Sequence, residues 1–474
     1  MAGCLLLLYK EKSERAFVQA RRFVGRTKLR FGLGVRRRLV VCGAGQFLFG
    51  AEPILSASSD GRLAIEPSDD PGALTVRWFG SRYTLRVPEG QPFTAHETRF
   101  ARAIGSVLAA RYRAILNPKY LVERGELFRG AIEDRYVGTF LDDSSYGASQ
   151  GQPRADRIAS AIEVMRVAAL SSYENRPIST GVLLLGTHED PVSPHPTRPP
   201  GSHHYTQALT GVKSFFRLVD GLRTLFVVGS DGMLLDIVDV QDWAYRASGG
   251  GPLSAPCPAA YEAHARATLQ DGHVCLVLSP SHEIKVFAEG AQVLAYRHAS
   301  WTLLDLQSKY DMWAAAVGND ALASRLFLSA LDLADAREGA LFVVLRDPST
   351  SVDQLVSLPD RIDIGLTDVG NLQAPPTRRD LLYLLTGRTV TELEPTVLAA
   401  LASIDGAMVT DRAGNLVAVG AILRHPYTTP VADDAIIEGA RSTAAMTASR
   451  FGPVLKVSED GGITFFDAGK VWDI

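Results

Sequence analysis

Ile404-Asp405-Gly406-Ala407-Met408-Val409-Thr410 leads into a turn at Ala413-Gly414-Asn415 and a second apolar run from Leu416 to Leu423. This reads as strand, turn, strand, because Asp-Gly and Gly-Asn are turn chemistry between apolar runs. Outward from it, Glu438-Gly439-Ala440-Arg441-Ser442-Thr443-Ala444-Ala445 opens a helix. The chain then runs through Val457-Ser458-Glu459-Asp460-Gly461-Gly462-Ile463-Thr464-Phe465-Phe466, a strand, a glycine turn and a strand. Strands mixed with helices at this spacing predict an α/β fold.

The 474 residues suggest about three domains at roughly 150 residues each. Net charge is −3, so the whole chain has no bias toward nucleic acid or acidic membranes. Cys4, Cys42, Cys257 and Cys275 lack paired spacing, which argues against a disulfide framework or a zinc site and fits a reducing cytoplasm. The run Cys4-Leu5-Leu6-Leu7-Leu8-Tyr9 is too short to span a bilayer and lacks signal-peptide flanks; it reads as a buried strand.

In chain order, residues 1–40 are basic, through Lys10, Lys12, Arg15, Arg21, Arg22, Arg26, Lys28, Arg30 and Arg36-Arg37-Arg38. They read as a solvated face or as a phosphate- or partner-facing surface; without interleaved aromatics, single-strand recognition is not favoured. Gly43-Ala44-Gly45 follows a strand, but Leu48 replaces the third glycine and a further strand follows, so the dinucleotide fingerprint fails. Thr75 to Val87 reads as a β-hairpin turning at Gly80-Ser81. A helix from about Thr94 buries Phe100, Ile104, Val107, Leu108, Tyr112 and Ile115. Leu141 to Asp156 is a polar linker, and Ile158 to Leu170 a helix with Ile158, Ile162 and Met165 on one face. Ser179 to Leu185 is a strand buried on both sides. Thr187 to His204, with His188, His195, His203 and His204, has no metal-ligand spacing and reads as an exposed loop.

Residues 158–305 repeat the order of signals in 322–474. Ser179-Thr180-Gly181-Val182 parallels Arg337-Glu338-Gly339-Ala340, and Val219-Asp220-Gly221 parallels Ile404-Asp405-Gly406. Ala263 to Thr268 parallels Gly439 to Thr443, and Ser279 to Gly290 parallels Ser458 to Gly469 at equal spacing. The expected organisation is an N-terminal β-rich unit with helices (1–150) and two tandem domains (151–310 and 311–474), each a mixed sheet flanked by helices.

Residues 320–474 resemble the nucleotide-binding domain of diadenylate cyclases of the DisA type. Asp405-Gly406-Ala407 matches that family's Asp-Gly-Ala motif in full. Gly439-Ala440-Arg441-Ser442-Thr443 shares Gly439 and Arg441 with its Gly-Thr-Arg-His-Arg motif, and Ser458-Glu459-Asp460-Gly461-Gly462 is similar to its Ser-Glu-Glu-x-Gly turn. Glu338 to Arg346 resembles its first core strand. The resemblance implies tandem diadenylate-cyclase-like domains that each hold one nucleotide, ATP first, with Mg²⁺ or Mn²⁺.

The chemistry of these residues fits such a ligand. Asp405 and Glu459 offer the carboxylate oxygens that Mg²⁺ and Mn²⁺ favour. Gly439, Ala440 and Arg441 at a helix N-terminus offer backbone N–H groups and a guanidinium to phosphate. The resemblance implies that Gly406, Ala407, Ser442, Thr443 and Ser458 complete the nucleotide contacts and that Asp405 and Arg441 would carry any catalysis. Ser442 and Thr443 stand where the family has His and a second Arg, the side chains that hold the triphosphate. The first copy is poorer still, since Ala265-Arg266-Ala267-Thr268 and Ser279-Pro280-Ser281-His282-Glu283 keep little of the pattern. Tyr173-Glu174-Asn175-Arg176 and Arg424-His425-Pro426-Tyr427 read as polar turns or as pocket linings.

Three functions are compatible with this sequence. One is a sensor or regulator of a nucleotide or dinucleotide signal, acting on a second copy or a partner effector protein. Another is a metal-dependent nucleotidyltransferase making a linear or cyclic dinucleotide. The third is a structural interaction module without nucleotide affinity.

Overall fold

The computed structural model describes residues 30–33, 37–40, 52–54, 64–70, 72–78, 81–86, 93–116, 125–142, 154–173, 175–186, 203–206, 213–248, 252–270, 272–362, 382–424 and 439–474. The Leu-rich N-terminal run, Gly43-Ala44-Gly45, His188, His195, Glu174 and His425-Pro426-Tyr427 lie outside the described residues. The fold is mixed α/β, with two large mixed sheets flanked by helices and a small N-terminal four-stranded sheet. The chain divides into two compact units, residues 1–252 with 263–304, and residues 253–262 with 305–474.

In the first unit, Ala73–Trp78 and Ser81–Arg86 form the expected hairpin, but Ser81, expected in the turn, pairs with Trp78. Helix α1 (Ala95–Leu116) starts on a reciprocal cap, Glu97 N donating to Thr94 Oγ1 and Thr94 N to the Glu97 carboxylate. Helices α2 (Ile132–Leu141) and α3 (Arg154–Ala169) pack with it around Phe100, Val137, Phe140, Ile158, Ile162 and Met165. Residues 154–156, expected in the linker, are helical because Asp156 is drawn into the core. Its carboxylate accepts from Arg135 Nη1 at 2.8 Å, both side chains almost wholly buried. The sheet beneath holds β1 (Thr180–Leu184), β2 (Thr224–Val228), β3 (Leu234–Asp239), β4 (Val274–Leu278), β5 (Ile284–Ala288), β6 (Ala291–Arg297) and β7 (Ser300–Leu303) in the order β3-β2-β1-β4-β5-β6-β7.

In the second unit, α4 (Leu306–Val317) and α5 (Asp320–Ala336) precede β8 (Ala340–Leu345), β9 (Ala407–Asp411) and β10 (Leu416–Ala421). Helix α6 (Ala440–Ala448) then leads to β11 (Val454–Val457), β12 (Ile463–Phe466) and β13 (Lys470–Asp473). The order is β10-β9-β8-β11-β12-β13. Strand alternation sends Leu341, Val343, Val454 and Phe466 to the face covered by Ala445 and Ala448 of α6. Phe465 and Trp472 meet Trp313 and Phe327 of α4 and α5, with rings edge-on at 5.5 Å between Trp313 and Phe465.

The repeat read in the sequence has a structural counterpart: β1 to β6 and β8 to β13 share one topology. The β1–β2 and β8–β9 pairs are parallel and the other ladders antiparallel. Val182 faces Phe226 and Leu276; Phe342 faces Met408 and Leu455. Ladder irregularities recur at matching places, after Val227 and Val409 and after Val286 and Phe465. The β2–β3 turn closes by Gly229 N to Met233 O and Gly232 N to Gly229 O, and the β9–β10 turn by Asp411 N to Asn415 O and Gly414 N to Asp411 O.

These registers correct two alignments made on glycine identity. Ser179, not Gly181, takes the position of Gly339, and Thr224, not Gly221, that of Gly406. The segment from Ser279 to Gly290 does align with Ser458 to Gly469: Ser279 N to Glu283 O and Ser458 N to Gly462 O close identical turns.

Candidate functional site

Four segments of the second unit converge at the start of α6. Gly439, at φ +92°, is the N-cap of this helix and gives it no side-chain cap. Thr443 N and Ser442 N already donate to Gly439 O, and the amides of Ala440 and Arg441 precede the first intrahelical bond. Arg441 reaches from this first turn toward β8 and the β11–β12 turn. Its Nη1 donates to Glu459 Oε1 at 2.9 Å, and its Nη2 lies 3.9 Å from Asp405 Oδ1. A Cβ on Gly339 would stand 2.0 Å from Arg441 Nη1, so the absent side chain at 339 makes the seat for the guanidinium.

The Ser458–Gly462 turn is tied by Ser458 N to Gly462 O, Gly461 N to Ser458 O and Gly462 N to Asp460 Oδ1. It holds the Ser458 backbone and turns Glu459 outward, its side chain 72% exposed; that of Asp405 is fully exposed. Gly406, at φ +116°, has no room for a side chain: a Cβ would lie 2.3 Å from the Gly420 carbonyl carbon. Ala407 is buried in the core beside Val343 and Val409. So within Asp-Gly-Ala only Asp405 presents a side chain outward, and the other two shape the start of β9. Thr443 turns its hydroxyl back to Gly439 O.

One member was missed in the sequence. Lys456 of β11 donates from Nζ to Ser442 Oγ at 2.9 Å. Burial lowers its pKa from the ordinary value, reinforced by Lys470 and Arg441 and opposed by Asp460 and Asp473. The available signal was a lone lysine inside the apolar strand Val454-Leu455-Lys456-Val457, directly ahead of Ser458-Glu459.

Among the described residues, no group of three or more His, Cys, Asp or Glu is arranged to hold a metal ion. Asp405 and Glu459, the two carboxylates expected to hold a metal, both face the Arg441 guanidinium.

The first unit uses its Asp-Gly differently. Asp220 Oδ1 accepts from the amides of Leu222, Arg223 and Thr224 and from the Thr224 hydroxyl. Desolvation pushes its pKa up, but these donors outweigh it and hold the carboxyl below the usual range. His264 is buried, with Nε2 2.9 Å from Gly221 O, and desolvation lowers its pKa to about 4 against that hydrogen bond. It is a neutral core residue.

No family model matches the chain, and no curated protein matches it. Among solved structures, a hypothetical membrane spanning protein from Bacillus cereus is 22% identical, over 32% of this chain and 62% of that one, with a TM-score of 0.21. DacA from Staphylococcus aureus is 17% identical, over 32% of this chain and 86% of that one, with a TM-score of 0.20. The chain thus spans less than two thirds of the length of the first of these. Among the described residues no helix is long and apolar enough to cross a membrane.

Proposed function

We propose that the second unit binds a nucleotide by its phosphates and that the protein is a cytoplasmic sensor or regulator of a nucleotide signal. One observation carries this reading: the Arg441 guanidinium, on the first turn of α6, is seated over Gly339 between two outward carboxylates. A cation on the first turn of a helix, beside the amides that precede the first intrahelical bond, is a phosphate-binding arrangement. Asp405 and Glu459 keep the guanidinium in place without burying it, so an incoming phosphate can exchange with them. The occupant would be a nucleotide or dinucleotide, ATP first, and the response would pass to a second copy or to a partner effector protein.

A second reading, a nucleotidyltransferase joining two nucleotides, is favoured by the full exposure of Asp405. Mg²⁺ or Mn²⁺ would be held by Asp405 and Glu459 with phosphate oxygens, and would neutralise the triphosphate. Arg441 would orient the phosphates and stabilise charge on the leaving pyrophosphate.

Incubating the purified protein with each NTP and dNTP plus Mg²⁺ or Mn²⁺, followed by mass spectrometry, separates the readings. Retained nucleotide without product, lost in Arg441→Ala, is expected for the sensor. A dinucleotide product that disappears in Asp405→Asn makes the protein an enzyme. Binding that survives Arg441→Ala unchanged refutes the site.

A further inference from the structure

The strand that carries Lys456 does not require a lysine there. The strand position that matches it in the first sheet, by the registers of β4 and β11, is Val277, buried and apolar. Its own strand alternates so that Val454 and Lys456 face α6, and Val454 fills the apolar cluster there. The stem of Lys456 continues that face, and its ammonium emerges at the first turn of α6. Among the described residues its one hydrogen-bond partner is Ser442 Oγ. An ammonium carries three donors, so two remain to be used.

Arg441 and Ser442 are consecutive on the first turn of α6 and Lys456 Nζ lies 2.9 Å from Ser442 Oγ, so two cationic side chains serve one helix start, a place for an anion longer than one phosphate. From this we infer that Lys456 is a second phosphate-contacting cation, which makes the site selective for nucleotides bearing two or more phosphates. This rests on the nucleotide-binding reading above and specifies its ligand. Arg441 takes one phosphate and Lys456 the next, while Ser442 Oγ holds the ammonium at the helix start. Positive charge is thereby supplied from strand β11 rather than from the helix positions Ser442 and Thr443.

The groups acting on this ammonium are Asp460 on the β11–β12 turn, Lys470 and Asp473 on β13, and Arg441 on α6. Because burial lowers its pKa, the charged form is lost at a lower pH than for an exposed lysine. Phosphate affinity therefore falls as pH rises through that lowered value.

The test is calorimetric titration with ATP, ADP and AMP in Mg²⁺ buffer, using the full chain, Lys456→Gln and Lys456→Arg. Loss of one charge-assisted contact should weaken ATP and ADP binding to Lys456→Gln by about tenfold to a hundredfold. AMP should change less than about threefold on the same scale. Lys456→Arg should restore ATP binding and remove the decline in affinity that the unmodified chain shows as pH rises through the lowered lysine pKa. Thermal melting of each variant checks that it is folded. Wild-type-like ATP affinity in Lys456→Gln overturns this inference and leaves the nucleotide site standing. Equal weakening of AMP and ATP also overturns it. No binding of any of the three by the unmodified chain overturns both.

Discussion

Gly339→Ala isolates the seat of the guanidinium from the stability of the fold. The new Cβ would fall 2.0 Å from Arg441 Nη1 and 2.7 Å from its Cζ, so the guanidinium must leave. It sits at the end of a flexible stem, and leaving breaks only its contacts with Glu459 and Asp405. With a side chain 35% exposed, Arg441 makes ion pairs of the surface kind, worth about 0.2–1 kcal/mol. Replacing glycine by alanine at a permitted backbone conformation returns about 0.4–1 kcal/mol by restricting the unfolded chain. These nearly cancel, so urea unfolding should shift by less than about 1 kcal/mol. Ligand affinity should not be spared: displacing one bidentate cation removes about 1.5–3 kcal/mol, a weakening of about tenfold to a hundredfold. Paired urea melts and ATP titrations read both quantities on one preparation. ATP affinity equal to that of the parent would refute the seat. Destabilisation beyond about 3 kcal/mol would show that the guanidinium cannot move aside as argued.

Two further perturbations probe the scaffold. Gly406→Ala combines a backbone held at φ +116° with overlap on the Gly420 carbonyl, and should cost about 2–5 kcal/mol in urea unfolding. A cost under about 1 kcal/mol would mean that this crossing relaxes freely. His264 has its folded pKa lowered to about 4 against an ordinary 6.5, so the unfolded chain binds the extra proton first. Its contribution is complete above pH 6.5 and is lost as pH falls toward 4, up to about 3 kcal/mol. Unfolding measured across this window should therefore be steeper in the parent than in His264→Gln; parallel slopes would contradict the assignment.

Much of the architecture was legible because turn chemistry and apolar period were clear. Thr94 and Glu97 announce the start of α1, and the Gly-centred turns mark each hairpin. The convergence of Asp405, Arg441 and Glu459 was expected from the family resemblance, and the structure brings the three together. What failed did so for physical reasons. Glycines were matched by identity, but a ladder is registered by pairing, so Gly181 and Gly221 were aligned to Gly339 and Gly406 wrongly. Residues 154–156 looked like a linker because they close a polar Gly/Ser/Gln-rich stretch with a proline, yet Asp156 pairs with Arg135 inside the core. Ala407 sits in a motif but serves the core, while Lys456 lies outside every motif and still points at the helix start.

The two matching sheets also bear on how this protein can be altered. At the positions of Gly339, Asp405, Lys456 and Glu459 the first sheet carries Ser179, Arg223, Val277 and Pro280, and it closes the same turns and keeps the same bulges. The strands are a chassis and the polar residues an insert that the chassis does not require. The proposed recognition can therefore be rewritten by exchanging the insert, while the ladders, bulges and turns that carry it keep their form.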